Sequence, residues 1–124
     1  MKTIIAGSRG ITSIKHIVDA VERSGFTVSH IISGGAAGVD QLGEAYAKRH
    51  QIPLTIMKAN WKTHGRSAGY KRNTQMAEVA DALIAVWDGK SNGTKHMIDT
   101  AKRLKLSVYI YTPFGTPVVY DELF

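Results

Sequence analysis

The sequence predicts a Rossmann-like α/β fold, a doubly wound parallel sheet in three α/β/α layers with about five strands, and three observations predict it. Short β-prone runs alternate with stretches of helical apolar spacing in the order βαβαβαβαβ. The run Ala82–Trp87 is apolar without interruption, as expected of a strand covered on both faces. Three of the runs end in loops made almost wholly of small residues. Strict alternation favours parallel strands, because each parallel pair needs a crossover and a helix supplies one of the right hand.

Lys2–Ala6 is the first strand, broken by Gly7-Ser8-Arg9-Gly10. Ile14, Ile17, Val18 and Val21 then recur at helical spacing, with Thr12 or Ser13 placed to cap the start and Gly25 to close the end. A second strand spans Thr27–Ser33, and the glycine loop after it leads to a helix over Val39–His50 with Leu42, Ala45 and Tyr46 on one face. Pro53 stops that helix from continuing. Leu54–Met57 is the third strand, Lys58–Ser67 a polar connection and Gly69–Ala80 a helix. After the Ala82–Trp87 strand and a loop over Asp88–Gly93, Met97, Ile98, Ala101 and Leu104 mark another helix, and Ser107–Tyr111 a fifth strand. Val118–Tyr120 reads as a short edge strand.

The 124 residues, 44% of them hydrophobic and 21% charged, suit one globular domain over residues 1–124. With no cysteine, disulfides and thiolate metal sites are excluded. No basic leader with an apolar core is present, so a cytoplasmic location is expected. Apolar runs fall well short of the roughly 20 residues that span a bilayer, which argues against a membrane partner. The net charge of +6 is concentrated: between Glu44 and Glu78 there is no acidic residue, while Lys48, Arg49, Lys58, Lys62, Arg66, Lys71 and Arg72 all lie there. These seven account for the whole excess and point to an anionic partner, against the plainer reading of a solvated surface.

In an open parallel sheet, ligands sit beyond the carboxyl ends of the strands. The loops Gly7–Gly10, Gly34–Gly38 and Gly89–Thr94 all leave strands in that direction. Small residues expose backbone N–H groups, and the following helix adds a positive terminus, so each loop suits a phosphate or carboxylate. None is a Walker P-loop, and no Gly-x-Gly-x-x-Gly follows the first strand, which weakens ATPase and dehydrogenase readings.

Gly7-Ser8-Arg9, Ser33-Gly34-Gly35-Ala36-Ala37-Gly38-Val39-Asp40, Arg72-Asn73-x-x-Met76 and Ala80-Asp81-Ala82-x-Ile84-Ala85, in that order, resemble the SLOG superfamily from Met1 to about Tyr111. That superfamily includes the DNA-processing protein A domain, the Lonely Guy cytokinin-activating hydrolases and the small YspA/YpsA-related proteins, and the last group is the nearest in pattern. The resemblance implies a nucleotide or nucleotide-derived ligand, glycine loops around its phosphate, a basic residue paired with it, and a homodimer. In the hydrolase branch an Arg-x-x-x-Met segment and a glutamate after Pro-Gly-Gly-x-Gly-Thr act on the N-glycosidic bond of a nucleoside monophosphate. Arg72 and Met76 match the first segment; Gly93-Thr94 matches only the end of the second, and Lys95, His96 and Met97 stand where the glutamate is expected. Cleavage through an oxocarbenium-like state calls for a carboxylate near the sugar. Asp40 and Glu44 are the remaining acidic candidates beside Arg72, although Asp40 also suits backbone N–H groups in the first turn of its helix.

The expected ligand-binding residues are Gly7, Ser8 and Arg9 from the first loop, and Ser33, Gly34, Gly35, Ala36, Gly38 and Asp40 from the second. Asn60, Arg72, Asn73, Lys90, Gly93 and Thr94 complete the set. Arg72 can fork onto a phosphate through two parallel hydrogen bonds, which lysine cannot copy. Arg9 reaches the same anion or is solvated. Asn60 and Asn73 read a base or ribose, or cap turns. Thr94 suits an N-cap, and Lys90 a phosphate partner or a solvated side chain. Trp61 and Tyr70 either stack on a base or pack the long connection against the sheet edge, the latter favoured for Trp61. The histidines lack metal-ligand spacing, so no metal is expected, and no cofactor. Three functions follow in order: binding a free nucleotide or nucleotide-derived ligand, hydrolysing a nucleoside 5'-monophosphate, and holding single-stranded nucleic acid through residues 45–77.

Overall fold

The structure, a computed structural model, describes residues 1–113, so the strand expected at Val118–Tyr120 lies outside the described residues. Five strands, β1 (Lys2–Gly7), β2 (His30–Ser33), β3 (Leu54–Ile56), β4 (Ala82–Val86) and β5 (Ser107–Tyr111), form one sheet in the order β3-β2-β1-β4-β5. Every neighbouring pair is parallel. Helices α1 (Ile14–Ser24), α2 (Val39–Arg49), α3 (Trp61–His64), α4 (Ala68–Val79) and α5 (Asn92–Arg103) provide the crossovers.

Period-two alternation divides the core between the two faces of the sheet. Ile4 and Ala6 of β1 and Leu83 and Ala85 of β4 pack with Met76, Met97, Ile98 and Ala101 of α4 and α5. Their chain neighbours Ile5, Ile84 and Val86 pack on the other face with Ile17, Ala20, Val39 and Ala47 of α1 and α2. All five residues of β4 are buried, which is why that strand shows no polar alternation.

Several boundaries and faces differ from the sequence expectation. β2 starts at His30 rather than Thr27, since its partner β1 begins at Lys2, in register with His30. The Met1 ammonium donates to the Thr27 carbonyl instead, at 2.8 Å. In α2 the inward face is Val39, Gly43 and Ala47, while Ala45 is exposed and Leu42 and Tyr46 are half-buried flanks. In α1, Ile17 and Ala20 face inward, and Val18 is exposed. The connection after β3 is not a plain loop: it contains α3 and a 3-10 turn over Gly65–Ser67. Thr94 does not cap α5, because the Asp88 carboxylate accepts the N–H groups of Lys90 and Ser91, at 2.8 and 2.9 Å, and turns the chain into the helix earlier. Thr94 sits one turn in and is buried, its hydroxyl donating to Ser91 Oγ at 3.2 Å.

Candidate functional site

The strand order reverses direction between β1 and β4, and the crevice that such a reversal opens lies beyond their carboxyl ends. A cleft of about 180 Å³ occupies it, and each of the three small-residue loops contributes: Gly7 and Arg9, then Ala36, then Ser91 and Gly93. From α3 through α4 come Trp61, Arg66, Gly69, Tyr70, Arg72, Asn73 and Met76.

The floor depends on Gly7. It is paired with Val86 so closely that a Cβ there would lie 1.9 Å from the Val86 carbonyl oxygen. Ser8 is buried and acts as a joint. Its N–H donates to the Val86 carbonyl at 3.1 Å, its hydroxyl oxygen accepts the Asp88 N–H at 3.0 Å, and its carbonyl accepts the Val39 N–H at 3.4 Å. Gly38 presses the second loop on the first: its φ of +77° is a left-handed conformation that side chains disfavour, and a Cβ would stand 2.5 Å from Arg9 Cα.

Arg72 crosses from α4 to the second loop, donating from Nη1 to the Gly34 carbonyl and from Nε to Asn73 Oδ1 at 3.3 Å. Among the described residues these are its hydrogen bonds, so part of its five-donor fork remains unused. Asn73 is buried, and the Arg72 contact to its oxygen fixes the orientation of its amide. The Asn73 Nδ2 hydrogens therefore go to the Gly93 carbonyl at 3.3 Å and to His96 Nδ1 at 3.1 Å. His96 Nδ1 must accept, which requires the neutral ring, and burial together with the nearby charge of Arg103 lowers its pKa despite Asp99. The neutral His96 ring stacks on Tyr70 with centroids 4.0 Å apart and planes 9° from parallel.

Asp40 is the buried acidic side chain that lines the cleft. Its Oδ2 accepts the Ala36 N–H at 3.1 Å, so its partner lies in the preceding loop and not in the first helical turn. Burial pushes its pKa up from 3.8 to about 6, a rise that the Ala36 N–H, Arg72 and Arg9 limit and Glu44 reinforces. Between these pH values the folded chain holds a proton that the unfolded chain has released, so stability falls as pH rises from about 4 to about 6 and stays low above. Asp40→Asn keeps an oxygen for Ala36 and removes the buried charge. It is expected to gain on the order of 1–2 kcal/mol at pH 7.5 and almost nothing at pH 4, the gain being held down because Arg72 loses its attraction. Urea titrations of both proteins at the two pH values check this, and an equal gain at both would contradict it.

Of the expected binding residues, Gly7, Arg9, Ala36, Asp40, Arg72, Asn73, Gly93 and Thr94 line the cleft. Ser8, Ser33, Gly34, Gly35 and Gly38 stand behind this lining and shape its loops, whereas Asn60 and Lys90 lie outside it. Asn60 caps α3, its Oδ1 accepting the Thr63 N–H at 3.1 Å. Glu44 is turned to the back of the second loop, where its carboxylate accepts the Ser33 hydroxyl at 2.6 Å. Loop amides are less available than their composition implies. Those of Gly35, Ala36, Lys90 and Ser91 already donate to Ser33, Asp40 and Asp88. The donors left open in the cleft are thus those of the guanidinium groups more than those of these amides. Trp61 is not packed against the sheet edge; it is 56% exposed and lines the cleft, as does Tyr70. Arg66, Ser91 and Met97, which motif reasoning missed, line it too. For Arg66 the acid-free basic segment is the signal, although of its seven cations only Arg66 and Arg72 reach the cleft. Among the described residues, no cluster of acidic and histidine side chains could hold a metal, and no helix is long and apolar enough to cross a membrane.

Comparisons with known proteins bear on the loops directly. Gene 61 protein of Mycobacterium phage D29 is 28% identical over 117 residues, which covers 86% of this chain and 93% of that protein. No solved structure matches the chain significantly. Residues 1–64, which hold the first two loops, Asp40 and α3, match the family YAcAr. On that match, the five-stranded parallel sheet and the Gly7 and Gly34–Asp40 motifs, the chain belongs to the YspA, cpYpsA-related SLOG family.

Proposed function

We propose that the cleft binds a phosphate-bearing nucleotide or nucleotide-derived ligand. The observation that carries this reading is Arg72: a half-buried guanidinium with unused donors, oriented by Gly34 and Asn73, in a cleft it shares with Arg9 and Arg66. Holding a desolvated cation in place is worthwhile where a partner anion brings its own charge. Drug-sized ligands occupy clefts of roughly 300–1,000 Å³. At about 180 Å³, this one would enclose part of a mononucleotide and leave the rest at its mouth.

A second reading, hydrolysis of a nucleoside 5'-monophosphate, draws support from Asp40. A carboxyl that titrates near pH 6 beside an arginine is suited to acid–base work at the sugar. One panel tests both. Mononucleotides, cyclic nucleotides and ADP-ribose derivatives are expected to raise the melting temperature in proportion to the logarithm of ligand concentration. Silence across the panel rejects binding. Chromatography of the same samples reads hydrolysis, and no released base with the unmodified protein leaves binding alone.

A further inference from the structure

We infer that Trp61 and Tyr70 form a stacking platform for the nucleobase at the mouth of the cleft, selecting ligands by ring area, so that purine mononucleotides bind ahead of pyrimidine ones. This rests on the phosphate-binding role of Arg72. Both rings line the same cleft as Arg72, and both are unusually open for their size, Trp61 at 56% and Tyr70 at 48% exposure. A lone exposed aromatic is ordinary; two on one rim, beside Arg66, make a patch of the kind that marks a binding site.

The rings are also held. One face of Tyr70 lies against the His96 ring at 4.0 Å, and His96 is fixed through Asn73 to Arg72 itself. The open surface of Tyr70 is therefore presented by the same network that aims the guanidinium. Trp61 lies beside Gly69, where a Cβ would meet its Cη2 in ordinary van der Waals contact at 3.6 Å.

Burial sets the direction of the ligand. Asn73, Thr94 and Met76 line the cleft where it is buried and Arg72 where it is half-buried, whereas the aromatic pair is exposed, so a phosphate on Arg72 lies inward and the base outward. The exposed side chains that line the cleft are Arg9, Arg66 and the two rings, so the rings are the open apolar surface a base can meet. Every base offers a ring face, and the larger purine covers more of it.

The test compares AMP, CMP and ribose 5-phosphate by calorimetric titration of the intact protein, Trp61→Ala, Tyr70→Ala and Trp61→Phe. Stacking of one base should give the intact protein about fivefold to a hundredfold preference for AMP over ribose 5-phosphate, with CMP between them. Each alanine variant should lose most of that preference while its affinity for ribose 5-phosphate stays within about twofold, and Trp61→Phe should regain much of it. Both positions are exposed, and circular dichroism verifies the fold of each variant. Equal binding of AMP and ribose 5-phosphate by the intact protein overturns the platform and leaves the anion site standing. So does a CMP preference, or a uniform loss for all ligands in the alanine variants. If the intact protein binds none of the three, platform and anion site fail together.

Discussion

Arg72→Ala is expected to weaken binding of a nucleoside monophosphate at least a hundredfold while the protein remains folded. Truncating a partly buried, hydrogen-bonded charge that meets an opposite charge costs roughly 2–5 kcal/mol. The local geometry favours the upper part of that range, because Arg72 is aimed by the Gly34 carbonyl and Asn73 and its remaining donors are held for use. Arg72→Lys restores the charge without the fork or the Asn73 contact, so it should recover only a minor part. Removing Arg72 also deletes an attraction that favours the ionised form of Asp40. The alanine variant should therefore lose more stability at pH 8 than at pH 5. Titration calorimetry and urea unfolding check the two halves separately, and an unchanged affinity would remove Arg72 from the site.

Gly7→Ala is expected to be the most damaging single-methyl change in the chain. The added carbon would lie 1.9 Å from the Val86 carbonyl oxygen and 2.9 Å from Val39 Cγ2. Neither neighbour can retreat cheaply: Val86 pairs with Gly7 at the centre of the sheet, and Val39 is fully buried at the start of α2. Relief requires opening β1 from β4, so a loss of about 3 kcal/mol or more is expected, enough to leave little folded protein. Gly10→Ala is the natural control, since nothing lies within 4 Å of a Cβ at Gly10. It should stay within about 0.5 kcal/mol of the parent. Urea midpoints at a constant denaturant slope measure both.

The fold was legible because its signals are local. The unbroken run Ala82–Trp87 reports a strand covered on both faces, and Gly25 and Pro53 punctuate their helices whatever packs around them. Helix faces were read less well. Ala45 carries the same apolar label as Ala47, and what separates them is that the latter turns towards the sheet, where Gly43 lets α2 settle on Ile5. The lining of the cleft was legible where loop and helix motifs supply it, as at Gly7, Ala36, Asp40 and Arg72. It was obscure where side chains decide. No spacing rule places His96 of α5 under Tyr70 of α4, because that contact comes from two helices packed side by side. Nor does composition show that Ser33, Asp40 and Asp88 take up the loop amides, since a serine or aspartate after a strand is equally suited to face a ligand.

Ser8 joins the exits of two strands to the start of a helix: through its backbone to β1 and β4, through its hydroxyl to the chain after β4, and through its carbonyl to the first residue of α2. The floor of the cleft is thereby braced in the chain by itself. A ligand of the proposed kind would find little conformational freedom there to remove, and such preorganisation spares affinity the entropy of loop ordering.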